Sequence, residues 1–156
     1  MAVAHIDTWK RNREILVKQL KESDNFRGPL QDYYYKIIPM LYLQDPFGIL
    51  GFFRWILFSA IGLFRPIMRG PLFRKDLFSV AVKTTALACE NFMLAITAQG
   101  YGTCPMEGFD ENRVKRLLKL GRGSQVVMII SVGDIDPAGI YGPQFRVPKD
   151  LVIHEI

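Results

Sequence analysis

Cysteine and histidine are scarce in this sequence. Cys89 and Cys104 are its only thiols and His5 and His154 its only imidazoles. Two cysteines cannot build a disulfide framework, and neither type shows ligand spacing, so no metal site is expected. Long runs of one charge are missing too. The formal net charge is +5 with a pI near 9.3, yet the basic residues are scattered. The short clusters at Lys10–Arg13 and Arg113–Arg116 fall in helix-like patterns, where Lys and Arg form a solvated face. The excess favours an anionic partner without choosing among phosphate cofactor, nucleic acid and lipid head group. No nucleic-acid motif accompanies it, so no nucleic acid is expected. The opening "MAVAHIDTWKRNRE" lacks the basic-then-apolar order of a signal peptide, and a cytoplasmic location is the expectation.

What remains is globular in composition: 49% apolar and 22% charged over 156 residues, enough for one domain with one core. "AVAHI" reads as a short strand, and Asp7 or Thr8 then caps an amphipathic helix whose stripe is Trp9, Ile15, Leu16 and Leu20. "YYYKIIPMLYL" predicts helix on either side of a break at Pro39. The run Phe47–Phe64 is apolar except for Arg54 at its centre. Its length is marginal for a bilayer core of ~30 Å, and a mid-span arginine adds about 2.5–3.5 kcal/mol to insertion. A buried or partner-facing helix is expected over 47–64, with peripheral membrane contact as the alternative.

Between Lys75 and Gln99 there is neither Gly nor Pro, and Gly100 follows as a C-cap. Leu77, Ala81, Thr84, Ala88, Asn91, Ala95 and Ala98 recur at heptad-like spacing, mostly small side chains that admit a second helix. From Ala86 onward the segment is apolar nearly all round. It is therefore expected to be buried, centrally or against a two-fold partner, with Glu90 finding a polar partner inside. "TCPMEGFD" reads as a turn, Asp110 caps a helix running to Gly121, "SQVVMIISVGD" is a buried strand, and Leu151–Ile156 is a final extended segment. The sum is an α+β domain over residues 1–156, helices around a small mixed sheet.

The order of these pieces resembles the C-terminal half of the FMN-dependent nitroreductase family. Asn91 and Leu94 match an Asn-x-x-Leu pattern on the long helix. Pro105, Glu107, Gly108, Phe109 and Asp110 match its Pro-x-Glu-Gly-Phe-Asp segment, and Arg146 with Pro148 matches an Arg just before a Pro in its tail. The likeness covers roughly Leu77–Ile156. It implies an NAD(P)H oxidoreductase that reduces nitroaromatics, quinones or similar small-molecule acceptors by hydride transfer through flavin N5, built as a homodimer. The implied cofactor contacts are backbone groups of Pro105, Met106, Glu107 and Gly108 at the flavin ring, with Arg146 and, in place of a second basic residue, Gln144 at the phosphate. No side chain is implied as catalyst, because the flavin carries the chemistry. The family's Arg-rich and Pro-Ser-x-x-Asn segments have no counterpart here. The chain thus looks N-terminally truncated relative to the family and is expected to bind FMN weakly. A non-catalytic, dimerising nitroreductase-like protein is the alternative, beside a peripheral membrane protein using 47–64.

Overall fold

Three strands pair into one sheet, the third of them rich in β-branched residues, and a 25-residue helix packs across all three. The computed structural model describes residues 1–22, 27–67, 70–140, 142 and 146–153. Strand β1 (Ala2–His5) leads through a turn into helix α1 (Trp9–Lys21). Thr8 stands at its N-cap, where its hydroxyl donates to the His5 carbonyl at 3.3 Å rather than accepting from the helix. The expected inner stripe of α1 is corrected. Val17 is buried and Arg13 and Leu20 half-buried, whereas Ile15 and Leu16 are exposed.

Short helix α2 (Pro29–Asp32), a π-helical turn (Tyr33–Ile37) and α3 (Ile38–Tyr42) run on without the break expected at Pro39. The ring of a proline clashes with the carbonyl one turn back and offers it no N–H. Widening that turn to π geometry is how the chain passes Pro39. Helix α4 (Ile49–Gly62) follows and ends before α5 (Arg74–Ala98), within one residue of the Lys75–Gln99 expectation at either end. Gly100 adopts φ +89°, the left-handed conformation expected of a C-cap glycine.

Strand β2 (Gly102–Met106) corrects the turn expected there: it pairs antiparallel with β3 (Ser124–Gly133), Pro105 opposite Ile130 and Met106 opposite Ile129. Sheet order is β1-β3-β2 and every described pairing is antiparallel, where a mixed sheet was expected. Proline is admissible in β2 because β2 is an edge strand. Helix α6 (Glu111–Leu117) joins β2 to β3 and stops earlier than Gly121, with Lys119 left-handed at φ 53°. After β3 come 3-10 turns at Pro137–Gly139 and Lys149–Leu151. The second replaces the start of the extended tail expected from Leu151, and His154 lies outside the described residues.

Helix α5 packs on all three strands. Its inward stripe is Leu77, Phe78, Val82, Thr85, Ala86, Cys89, Met93 and Ile96, the 3.6-residue period of one helix face. Only Leu77 and Cys89 are buried, so the all-round burial expected from Ala86 onward is not met within one chain. Leu87 is 69% and Leu94 59% exposed, and Glu90 is solvent-facing with no buried network around it. Thr84, Ala88, Asn91, Ala95 and Ala98, most of the small-residue seam, face outward. The core proper is Ala4, Ile6, Val17, Leu77, Cys89 and Val126 between helices and sheet, with Leu41 and Phe58 under the α3–α4 pair.

Candidate functional site

The segment after β2 is held from both sides. Upstream, Met106 ends the ladder against Ile129. Downstream, the Asp110 carboxylate accepts from the Arg113 amide at 3.0 Å and caps α6, as expected from sequence. Two side chains of α6 fasten it to β3. Lys115 donates to the Ser124 carbonyl at 2.7 Å, and Glu111 accepts from the Val126 amide at 3.3 Å. Ser124 is the most deeply buried polar residue among the described residues, and its hydroxyl donates to the Gly121 carbonyl. Glu107 and Gly108 therefore sit between two anchored elements.

Their backbone is unoccupied by the fold. The Glu107 carbonyl accepts from the Phe109 amide at 2.9 Å. Neither the Glu107 nor the Gly108 N–H donates to any protein group among the described residues. A Cβ built on Gly108 would meet nothing within 4 Å, so the space above it is open. Pro105, Met106, Glu107 and Gly108 are all exposed. The arrangement offers two fixed N–H dipoles beside open volume, suited to the carbonyl and ring-nitrogen acceptors of a planar heterocycle.

The structure brings Pro105, Met106, Glu107 and Gly108 together as one lip. Arg146 lies apart in sequence, exposed in the stretch before the 3-10 turn Lys149–Leu151, and Gln144 lies outside the described residues. Cys104 is exposed and Cys89 buried, both as free thiols. No grouping of His, Cys, Asp or Glu suited to a metal ion occurs among the described residues.

A separate groove lies elsewhere. About 550 Å³ opens between α1, the π-turn, α3 and α5, walled by Trp9, Arg13, Tyr34, Tyr42, Leu77 and Thr84 among others. Trp9 and Tyr42 meet with ring centroids 5.9 Å apart. Burial, with the Tyr33 hydroxyl second, raises the Tyr42 pKa above its ordinary value, keeping it a neutral donor. The Arg13 Nε is shielded from solvent with no hydrogen-bond partner among the described residues. The lip differs from this groove in that its unpaired donors lie within the Pro-x-Glu-Gly-Phe-Asp segment. The groove escaped sequence reasoning: Arg11 and Arg13 look like any solvated helix face until Tyr34 and Tyr42 are folded against them.

Residues 68–134 match the nitroreductase family. The match covers under half of the chain. The span takes in α5, β2, α6 and β3, the elements that build and hold the lip. A Bacillus subtilis protein named as an NAD(P)H nitroreductase, MhqN, is 40% identical over 65 residues, which are 42% of this chain and 30% of that protein. Among solved structures, Bacillus subtilis ydfN, described as a nitroreductase, superposes with TM-score 0.65 at 20% identity, covering 99% of this chain and 61% of that one. An Exiguobacterium sibiricum nitroreductase in complex with FMN gives TM-score 0.52 at 20% identity, covering 97% of this chain and 57% of that one. The fold is that of the nitroreductases, and the chain spans less than two thirds of these relatives' length.

Proposed function

We propose that this chain contributes the flavin-edge contacts of an FMN-dependent NAD(P)H oxidoreductase acting on nitroaromatic, quinone or similar acceptors. The observation that carries the proposal is the pair of unengaged amides at Glu107 and Gly108, inside the family-matched span and over open space. The residues present fit a flavin at this point: the donors are preset by β2 and α6, and glycine leaves room for a ring at contact distance. When bound, FMN supplies the two-electron chemistry, taking a hydride equivalent from NAD(P)H and passing it to the acceptor. The chain's own part is to hold and polarise. The N–H groups of Glu107 and Gly108 favour electron density on the ring edge without reorganising. Pro105 stiffens the approach, and the Met106 backbone continues the lip. Arg146 would take the phosphate through its guanidinium fork, with the Gln144 amide as an uncharged second donor.

We further propose a homodimer built on the outward face of α5, where small residues at Thr84, Ala88, Asn91, Ala95 and Ala98 admit close approach and Leu87 and Leu94 stand uncovered. Titrating the purified chain with FMN, followed by flavin fluorescence and by NADPH and NADH oxidation with a quinone acceptor, tests the assignment. Saturable quenching with turnover is the expected result. A folded, dimeric chain that leaves FMN fluorescence unchanged would instead be a non-catalytic member of the fold.

A further inference from the structure

Helix α4 is amphipathic in an inverted sense. Its one charged side chain, Arg54, faces the protein, and the positions turned outward are apolar save for Ser59 at the margin. Gly51 and Phe58 are buried beneath it. Outward stand Phe52, Phe53, Trp55, Ile56 and Leu57, exposed by 52, 64, 50, 44 and 54%, with Phe52 stacked on Trp55. Phe47 before the helix is 87% exposed, and Leu63 and Phe64 after it 82 and 90%. Arg54 cannot serve this face, because its guanidinium is spent on the carbonyls of Met40, Leu41 and Leu43 at 2.6, 3.0 and 2.7 Å. An apolar notch of about 230 Å³ opens beside it between α3 and α4, lined by Met40, Leu43, Leu50, Phe53 and Leu57 among others.

The sequence segment that contains this helix is strongly basic. Segment 33–75 holds Lys36, Arg54, Arg65, Arg69, Arg74 and Lys75 against the single acid Asp45, a balance of +5 that equals the formal net charge of the whole chain. The remainder is neutral overall. Of its exposed cations, Lys36 pairs with Asp32 at 2.6 Å and Arg74 with Asp7 at 3.5 Å, whereas Arg65 and Lys75 make no ion pair among the described residues. A second copy pressed onto this face would set one strongly basic segment against another. An anionic surface suits both the apolar strip and the basic segment that carries it. At 14 residues α4 is about 21 Å long, short of the ~30 Å needed to cross a bilayer, so it can lie in the interface but not span it.

We propose that α4, with Phe47, Leu63 and Phe64 at its ends, is a membrane-docking helix that lies in the head-group region of an anionic phospholipid bilayer. Its apolar strip enters the acyl boundary, and Arg65 and Lys75 engage lipid phosphates. The docking is independent of flavin binding at Glu107 and Gly108.

The test uses the full chain and vesicles of phosphatidylcholine with or without phosphatidylglycerol, read by flotation and by Trp55 fluorescence in a Trp9→Phe background. Binding that requires phosphatidylglycerol, weakens with salt and shifts Trp55 emission to the blue is expected. Phe53→Ser combined with Leu57→Ser, both at exposed sites and checked for retained helicity by circular dichroism, should lower partitioning at least about tenfold. Arg65→Gln should lower it about fivefold. Failure to float with anionic vesicles, or binding indifferent to these substitutions, overturns the proposal. If the Ser variants instead convert a vesicle-free dimer to monomer, the face belongs to a second copy and the proposal also falls.

Discussion

The guanidinium of Arg54 lies 2.6 Å from the Met40 carbonyl oxygen, across fourteen residues of chain. With its bonds to Leu41 and Leu43 it satisfies carbonyls that the end of α3 leaves unpaired, and it places positive charge at the negative end of that helix. A fourth bond, from Nε to the Leu50 carbonyl at 3.1 Å, fixes the side chain along α4. Burial lowers the Arg54 pKa from its ordinary value, and the Asp45 charge partly offsets that, leaving the group protonated.

Arg54→Leu is expected to destabilise the chain by about 2 kcal/mol, since three carbonyls lose a charged donor and water can reach only some of them. Arg54→Lys should recover part of this, as an ammonium supplies charge but no planar fork. Denaturant unfolding of the three proteins checks the order. Equal stability of wild type and Arg54→Leu would show that the fork is incidental.

Asp45 fastens the other side of the same hairpin. Its carboxylate accepts from the amides of Ile49 at 2.8 Å, Leu50 at 2.9 Å and Phe47 at 3.2 Å. Desolvation acts to raise its pKa, but these N–H groups together outweigh it and hold the carboxyl below its ordinary range. A depressed folded pKa gives stability that is present above the unfolded value, about 4, and lost as pH falls through the folded value. Wild type should therefore lose thermal stability on acidification below about pH 4 more steeply than Asp45→Asn, which still accepts hydrogen bonds but does not titrate there. Superimposable acid limbs would remove the carboxylate from the account.

Gly51 faces the start of α5. An added Cβ would lie 2.6 Å from the Leu72 carbonyl oxygen and 2.8 Å from Phe73 Cδ1. Gly51→Ala should cost about 1–3 kcal/mol, because backbone must give way, whereas helix propensity alone would favour alanine by up to about 1 kcal/mol. A stabilised variant in thermal melts would mean that α4 stands off from residues 72 and 73.

These contacts explain what sequence could and could not show. Helix α5 was legible because its limits are local signals, an uninterrupted run closed by Gly100. Strand β3 was legible from its β-branched run, and the cap at Asp110 from its position before α6. Strand β2 was hidden by Pro105, which reads as a turn unless the strand is known to lie at an edge. Arg54 reads in sequence only as a charge within an apolar run, because its carbonyl partners lie eleven to fourteen residues earlier and no periodicity reports such a contact. The exposure of α5 was hidden for a related reason: apolar residues all round a helix look the same whether a sheet or a second subunit covers them. At the candidate site the residues were legible as a motif, while the unpaired amides were visible only once β2 and α6 fixed their directions.

Leu87 and Leu94 share the outer face of α5, 69% and 59% exposed. Replacing both by Lys should leave the circular dichroism of the chain intact and convert a dimer to monomer in light scattering, since lysines would be desolvated across the seam. A monomeric wild type, or a dimer untouched by the change, would move the partner away from α5.

Gly108 separates the two meanings of the lip. If the residue is there only to let the chain turn, alanine should strain the fold. Yet among the described residues, its two chain neighbours apart, no protein atom lies within 4 Å of an added Cβ, so Gly108→Ala should change unfolding stability by less than about 0.5 kcal/mol. If the space is kept for a flavin edge, that same methyl should weaken FMN binding by about tenfold or more, because overpacking a fitted contact costs about 1–3 kcal/mol. Paired measurements of unfolding and FMN affinity decide the matter. Lost affinity with unchanged stability assigns the glycine to a ligand, and unchanged affinity moves the cofactor elsewhere.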